Sequence, residues 1–276
     1  MTKFRIAILG YNGCMGTQLF GMADIFHIAA DVAHSSLVQV ELIALGAGNA
    51  CLGGEVQVAL KRPRGRYDLV IVPGMAVTRE VNWAQRLDGL RVEVAFIRRA
   101  FARGARIASM CVGAFLLGEA GVLDGRKATT AWLFAKQFAE RYPTATVEPD
   151  RLLIEDAGIT TTGAVSAVFD LALHLTRHIF GAQAAAGVAH AALLPKPRTS
   201  QAPFIDRRML HAPVSSFAQS LDQWYRRHLR EPFHLERAAK AFHVSTRTFL
   251  QESRQKRATP RSHCSSAYVS NKRNSF

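Results

Sequence analysis

Short apolar runs alternate with amphipathic stretches over much of this chain, and this alternation constrains the fold more than any other feature. Four apolar runs have strand character: Phe4–Leu9, Val38–Leu45, Asp68–Val72 and Arg106–Met110. Between them, hydrophobic residues recur at helical spacing. Parallel strands need crossover connections, which are usually helices, so this alternation predicts a doubly wound α/β domain. Its sheet is expected to be mainly parallel, as in flavodoxin-like folds.

A change in composition and hydrophobic pattern after residue 194 indicates a second region. Before it, Leu152–Glu155 and Ile159–Thr162 predict a hairpin, and two helical stretches follow. After it, three prolines within eleven residues cannot continue a helix. We therefore divide the chain into an α/β sensing domain (1–194), a linker (195–214), a smaller all-α domain (215–256) and a disordered tail (257–276).

Composition favours a cytoplasmic protein. No apolar run approaches the roughly 18 residues that would cross a bilayer, and the N-terminal sequence does not resemble a secretory signal. The four cysteines show no CxxC pairing and no metal-ligand spacing with histidine. The sequence thus predicts no membrane segment, no bound metal and no cofactor.

Positive charge is concentrated at the C-terminal end. Residues 195–276 contain 16 Lys and Arg against 5 Asp and Glu, whereas residues 1–194 contain 19 against 16. A strongly basic region beside a nearly neutral one indicates a polyanionic partner, and DNA is the first candidate. The alternative is an ordinary solvated charged surface.

Residues 235–255 have the pattern of a helix-turn-helix motif. Ala238 and Ala239 are small enough for two helices to cross closely, Val244 fills the turn, and Ser245 is suited to cap the second helix. The residues predicted to contact DNA lie on or before that helix: Ser245, Arg247, Thr248, Gln251 and Arg254.

The segment LERAAKAFHVSTRTFLQESRQ resembles the first helix-turn-helix of AraC-type regulators. The resemblance implies a second such motif, but the polar, Ser-rich residues that follow have no helical periodicity. Ser253 also occupies a position where the family has a large apolar residue. A frameshift, a premature stop or a divergent tail would each explain this ending, and under each of them specific DNA binding stays an open question.

Cys111 lies between a predicted strand and a predicted helix, in SMCVGAFLLGEAG. A small-x-Cys-x-Gly turn of this kind projects the thiol at a helix N-terminus, which favours the thiolate. We expect the backbone amides of Gly74, Met75 and Val112 to form an anion or ligand pocket beside Cys111.

This region resembles the nucleophile elbow of the ThiJ/PfpI superfamily, which has an amidotransferase-like fold. The likeness includes GMADIF, DLVIVPG and TTTGAVSAVFDLALHL, and it is closest to GlxA-type members, which carry an AraC-type tail. Enzymes of the superfamily use a histidine after the elbow and an acid near the first strand. Here those positions hold Ala131 and Gln18. His27, His174 or His178 would have to substitute for the histidine.

Three interpretations of Cys111 stay open: a vestigial elbow, a ligand-binding or oxidant-sensing thiol, and a catalytic nucleophile. The leading hypothesis is a non-enzymatic, homodimeric transcription regulator that binds DNA and a small-molecule effector. The resemblance implies nitrogenous or amino-acid-derived effectors. The alternatives are a cysteine-dependent hydrolase with a degraded tail and a regulator that no longer binds DNA specifically.

Overall fold

The computed structural model describes residues 3–46, 48–53, 56–206, 224, 234–242 and 244–254. The chain divides into two compact units, Met1–Leu210 and His211–Phe276. The strands of the first unit are β1 Phe4–Gly10, β2 Val38–Ala44, β3 Asn49–Cys51, β4 Gln57–Ala59, β5 Leu69–Val72, β6 Arg106–Ser109, β7 Lys127–Ala128, β8 Thr146–Val147, β9 Leu153–Asp156 and β10 Ile159–Thr162. Its helices are α1 Gly16–Val32, α2 Trp83–Asp88, α3 Arg91–Ala102, α4 Ala114–Glu119, α5 Ala135–Arg141, α6 Ala167–Phe180 and α7 Ala182–Ala191.

Six strands form the main sheet, in the order β2-β1-β5-β6-β10-β9. The β1, β2, β5, β6 and β10 pairs are parallel, and β9 adds antiparallel to β10 as the predicted hairpin. The order reverses direction beside β1, the arrangement of a doubly wound sheet. The predicted α/β fold with a mainly parallel sheet is therefore confirmed.

The core lies on both faces of this sheet. All four residues of β5 are buried, and Ile6–Leu9 of β1 have no exposed surface. Continuous apolar runs are typical of parallel strands that are covered by helices on both sides. In contrast, α3 fully buries only Ile97, as expected for an amphipathic helix at the periphery.

The segment from Arg198 to Phe204, which we call the strap, packs on the first unit. Arg198 binds Asp170 at 2.5 Å, and the backbone N–H of Leu152 donates to the carbonyl of Thr199. A short 3-10 turn, Ala202–Phe204, ends the strap. Prolines predict a linker from residue 195, whereas in the structure the strap is held on the α/β unit by these contacts.

The described part of the second unit contains two short helices, α8 Leu235–Ala241 and α9 Thr246–Arg254. Ala238, Ala239 and Phe249 form their buried core, with Val244 packed against it. The small alanines thus lie at the helix contact, as predicted. The predicted helix beginning near Ser215 and the predicted tail lie outside the described residues. Across the described chain, no helix is both long enough and apolar enough to span a bilayer.

Candidate functional site

Cys111 occupies a strained turn at the carboxyl end of β6. Its φ is 54°, in the left-handed region that non-glycine residues seldom adopt. The turn is fixed on both sides: the N–H of Cys111 donates to the Gly163 carbonyl at 2.8 Å, and the Thr130 hydroxyl donates to the Cys111 carbonyl at 2.8 Å. Open α/β sheets bind ligands at the carboxyl ends of the strands at the switch point, which here lies between β1 and β5, one strand away from β6.

Two glycines permit the close packing around this elbow. A Cβ at Gly113 would lie 2.5 Å from the Pro73 carbonyl oxygen, and one at Gly74 would lie 2.8 Å from the Cβ of Cys111. Both contacts are too short for a larger residue. The elbow therefore depends on backbone-to-backbone approach between the loops that follow β5 and β6.

Two of the amides predicted to bind an anion are already engaged. The Gly74 N–H donates to Oε1 of the buried Gln18 at 2.6 Å, and the Val112 N–H points at the Cys111 thiol. The Nε2 of the same Gln18 side chain donates to the Val165 carbonyl at 3.2 Å. Cys111, Val112 and Met75 are themselves at least 94% buried, at 6%, 0% and 2% exposure. The predicted residues are brought together, but as a closed packing arrangement.

The expectation that the turn favours the Cys111 thiolate is wrong. Burial raises the pKa of this thiol to about 11, and only the hydrogen bond from Val112 opposes the shift. The physical reason is desolvation: Cys111 is 6% exposed, so its thiolate would lose its hydration, and one hydrogen bond from the Val112 N–H does not replace it.

The structure also locates the histidines considered as replacements for the family's base. Ala131 follows Thr130, which holds the elbow, so the family's histidine position is beside Cys111 but carries a methyl group. His27 is exposed on α1, and His174 and His178 of α6 contact Glu155. Among the described residues, no histidine contributes to the pKa shift of Cys111.

Gln201 of the strap is a buried polar residue that no sequence pattern indicates. Its side chain, 2% exposed, donates to the carbonyls of Thr130 (2.9 Å) and Pro149 (2.8 Å), and it accepts from the Trp132 N–H at 3.3 Å. Thr130 in turn holds the Cys111 carbonyl. The strap is therefore two hydrogen bonds away from the elbow, through Thr130.

A cavity of about 530 Å³ lies beside the strap. Its walls are mostly apolar, with one Lys and one Asp: Trp132, Ala135, Lys136, Ala139, Val147, Pro149, Asp150, Ala202 and Ile205. Mostly apolar cavities of this size with a few polar groups are typical of small-molecule sites. The lining includes none of the residues predicted to bind a ligand.

Glu155, His174 and His178 form a cluster on a different part of the unit. Glu155 Oε2 lies 3.0 Å from His174 Nε2 and 3.6 Å from His178 Nε2. Burial lowers the pKa of His174, partly offset by its hydrogen bond to Glu155. The i, i+4 spacing of the histidines is visible in the sequence, but the carboxylate comes from a separate hairpin.

The predicted DNA-contacting residues lie at the start of α9 and along it. Ser245 caps the helix as predicted: its Oγ accepts from the Thr248 N–H at 3.1 Å and lies 2.8 Å from the Thr248 hydroxyl. Arg247 is exposed. The side chains of Gln251 and Arg254 lie outside the described part of the chain.

The sheet and elbow define a doubly wound α/β protein with a cysteine at a strained strand-to-helix turn. Residues 38–178, about half the chain, match the DJ-1/PfpI family. The chain belongs to that family, as the ThiJ/PfpI resemblance implies.

Similar proteins include both regulators and an enzyme. The chain is 34% identical over 121 residues to the isonitrile hydratase of Pseudomonas putida, covering 43% of this chain and 48% of that protein. It is 32% identical over 108 residues to the HTH-type transcriptional regulator CdhR of Pseudomonas aeruginosa, covering 39% and 32%. The chain thus spans half or less of these relatives.

Two solved structures illustrate the fold. An AraC family transcriptional regulator from Pseudomonas putida superposes with a TM-score of 0.56 at 20% identity, covering 68% of this chain and 99% of that one. Drosophila melanogaster DJ-1beta gives 0.57 at 17% identity, covering 71% and 100%. At these identities the likeness supports the fold alone.

Proposed function

We propose that this protein is a DNA-binding transcription regulator whose DJ-1/PfpI domain senses a small molecule, or pairs with a second copy, without catalysing a reaction. The observation that carries the non-catalytic part of this proposal is that the elbow around Cys111 has neither an ionised thiol nor the acid and base that would activate it. Cys111 is buried with a raised pKa, and neutral Gln18 and Ala131 stand where the family's enzymes have an acid and a base. A cysteine nucleophile needs an available thiolate or an adjacent base.

The strap offers a connection between sensing and DNA binding. Gln201 ties the chain that leads towards the C-terminal unit to Thr130, next to the elbow. The lining of the cavity beside the strap includes Trp132, Ala202 of the strap, and Ile205, which directly follows the strap. A ligand there would contact the strap directly, so we place the effector in this cavity rather than at Cys111.

The C-terminal helices supply the DNA-binding half of the proposal. The capped helix α9 carries the exposed Arg247 near its N-terminus, where recognition helices contact base edges. The basic charge of residues 195–276 fits a phosphate backbone. Helix-turn-helix proteins usually bind two half-sites, which is why we propose a homodimer.

The test is selection of binding sites from genomic fragments, followed by anisotropy titrations of a selected duplex and a scrambled duplex across a salt series. We expect tighter binding of the selected duplex. Arg247→Ala should weaken that binding by about 1–3 kcal/mol if the side chain contacts a base, or reduce the salt slope by about one if it contacts a phosphate. Arg99→Ala, an exposed arginine of α3, is the matched control.

Equal affinity for selected and scrambled DNA, unchanged by Arg247→Ala, would reject specific DNA binding. It would leave a regulator-like chain that has lost this function.

The second candidate function is a cysteine-dependent enzyme, and two observations favour it. Cys111 has the strained φ of 54°, and one of the similar proteins is the isonitrile hydratase of Pseudomonas putida. The test is an assay for turnover of a simple alkyl isonitrile, in which the rate is measured as the disappearance of the substrate. Activity that disappears in Cys111→Ser would establish the enzyme and overturn the non-catalytic proposal.

A further inference from the structure

We propose that Glu155, His174 and His178 form a binding site for a divalent transition-metal ion of the zinc type. One ligand atom from each residue lies within 4.8 Å of the other two. The site joins the edge strand β9 to helix α6 and is separate from the elbow and from the cavity beside the strap.

The helix presents two ligands on one face. His174 and His178 are four residues apart on α6, a spacing that places side chains next to each other one turn apart. Their rings lie 4.5 Å apart between centroids, and both direct Nε2 towards the same carboxylate oxygen. The two imidazoles therefore converge without any change in the backbone.

The distances suit tetrahedral coordination. Zinc binds histidine nitrogen and carboxylate oxygen at about 2.0–2.2 Å, so ligand atoms around one ion lie roughly 3.3–3.6 Å apart. Of the two oxygen-to-nitrogen distances, 3.6 Å lies at the upper end of that range and 3.0 Å lies slightly below it. Small side-chain rotations would admit the ion between the three atoms.

Arg106 orients the carboxylate. Its guanidinium forms an ion pair with Glu155 Oε1, which leaves Oε2 facing the histidines. A neighbouring residue that fixes a ligand in this way is common around protein metal sites. The positive charge of Arg106 also opposes a cation, so we expect weaker binding than in a four-ligand structural zinc site.

The ligand set selects the class of ion. Two imidazole nitrogens and one carboxylate oxygen suit Zn²⁺, Co²⁺, Ni²⁺ or Cu²⁺, whereas Mg²⁺ and Ca²⁺ prefer oxygen ligands. The side chains of Glu155, His174 and His178 are 29%, 24% and 41% exposed, so water can reach a fourth position.

The experiment titrates the full chain, first freed of metal by chelation, with Co²⁺ and then with Zn²⁺. We expect one equivalent of Co²⁺ to give visible d–d absorption without thiolate-to-cobalt charge transfer, because the ligands are nitrogen and oxygen. Zn²⁺ should displace Co²⁺ and raise the melting temperature, since an ion that binds only the folded state stabilises it.

Variants identify the ligands. His178→Ala and Glu155→Gln should each weaken Co²⁺ binding by at least about 100-fold, since loss of supporting residues alone costs about 10–100-fold. His190→Ala removes an exposed histidine of α7 and should leave binding unchanged. Metal-free melting temperatures equal to wild type would show that each variant folds.

Absence of saturable binding, a charge-transfer band that indicates cysteine ligands, or binding that survives His178→Ala in a folded protein would each overturn the site. These results do not depend on DNA binding or on Cys111.

Discussion

The Cys111 thiol should be unusually unreactive at neutral pH. With a pKa of about 11, roughly 3 in 10,000 of the thiols are ionised at about pH 7.5, compared with roughly 1 in 10 for an unperturbed cysteine. Only the thiolate reacts with alkylating agents. Ionisation alone therefore predicts alkylation about 300-fold slower than that of a cysteine-containing peptide, and burial of the side chain will slow it further.

Site-resolved mass spectrometry after timed iodoacetamide labelling measures this rate. The half-buried Cys51 reports labelling elsewhere in the same molecule. We expect the Cys111 rate to rise about tenfold per pH unit from roughly pH 7 to 10, without a plateau. A plateau below about pH 8, or labelling of Cys111 before Cys51, would refute the argument that burial dominates. It would also revive the oxidant-sensing and catalytic interpretations.

Three further predictions follow from the same geometry. Because folding raises the pKa of Cys111, the neutral thiol contributes fully to the free energy of unfolding below about pH 9, and this contribution declines as the pH rises through about 11. Denaturant titrations should therefore show the free energy of unfolding of wild type falling by about 2–3 kcal/mol over that window relative to Cys111→Ser. Gln201→Ala leaves buried carbonyls of Thr130 and Pro149 without this donor, so unfolding free energy should fall by about 2–4 kcal/mol, and an unchanged value would refute the anchoring role of the strap. Ala131→His places an imidazole beside the elbow, and at least about tenfold faster alkylation of Cys111 at neutral pH is expected from a lowered pKa; an unchanged rate would mean that this position does not reach the thiol.

The central strands of the main sheet were predictable because they are largely buried on both faces. After Asp68, the run Leu69–Val72 has no polar residue, and the structure buries all four residues of β5. The shorter strands β3, β4, β7 and β8 have only two or three residues each, mostly exposed or half-buried. Segments that short carry no periodicity, so the sequence gives no signal for them.

The site was less predictable because its contacts depend on residues far apart in the chain. The prolines Pro195, Pro197 and Pro203 indicate a linker, yet side-chain hydrogen bonds from Gln201 fix this stretch to the domain. Local spacing shows the histidine pair of α6, but Glu155 joins it only through tertiary packing. The raised pKa of the Cys111 thiol likewise follows from its burial, which cannot be predicted from the small-x-Cys-x-Gly pattern alone.

The geometry of the elbow should therefore be separated from its chemistry. The positive φ at Cys111 accompanies backbone contacts that involve no proton transfer: Gly113 against Pro73, and the Cys111 N–H against Gly163. These contacts are compatible with any small side chain at position 111, so a strained turn can persist after catalytic partners are lost. We therefore propose that Gln18 and Ala131 are the positions that make this elbow part of a sensing domain rather than an active site. Gln18 already uses both ends of its amide to join the Gly74 and Val165 backbones, an arrangement that a carboxylate cannot reproduce because it has no N–H to donate.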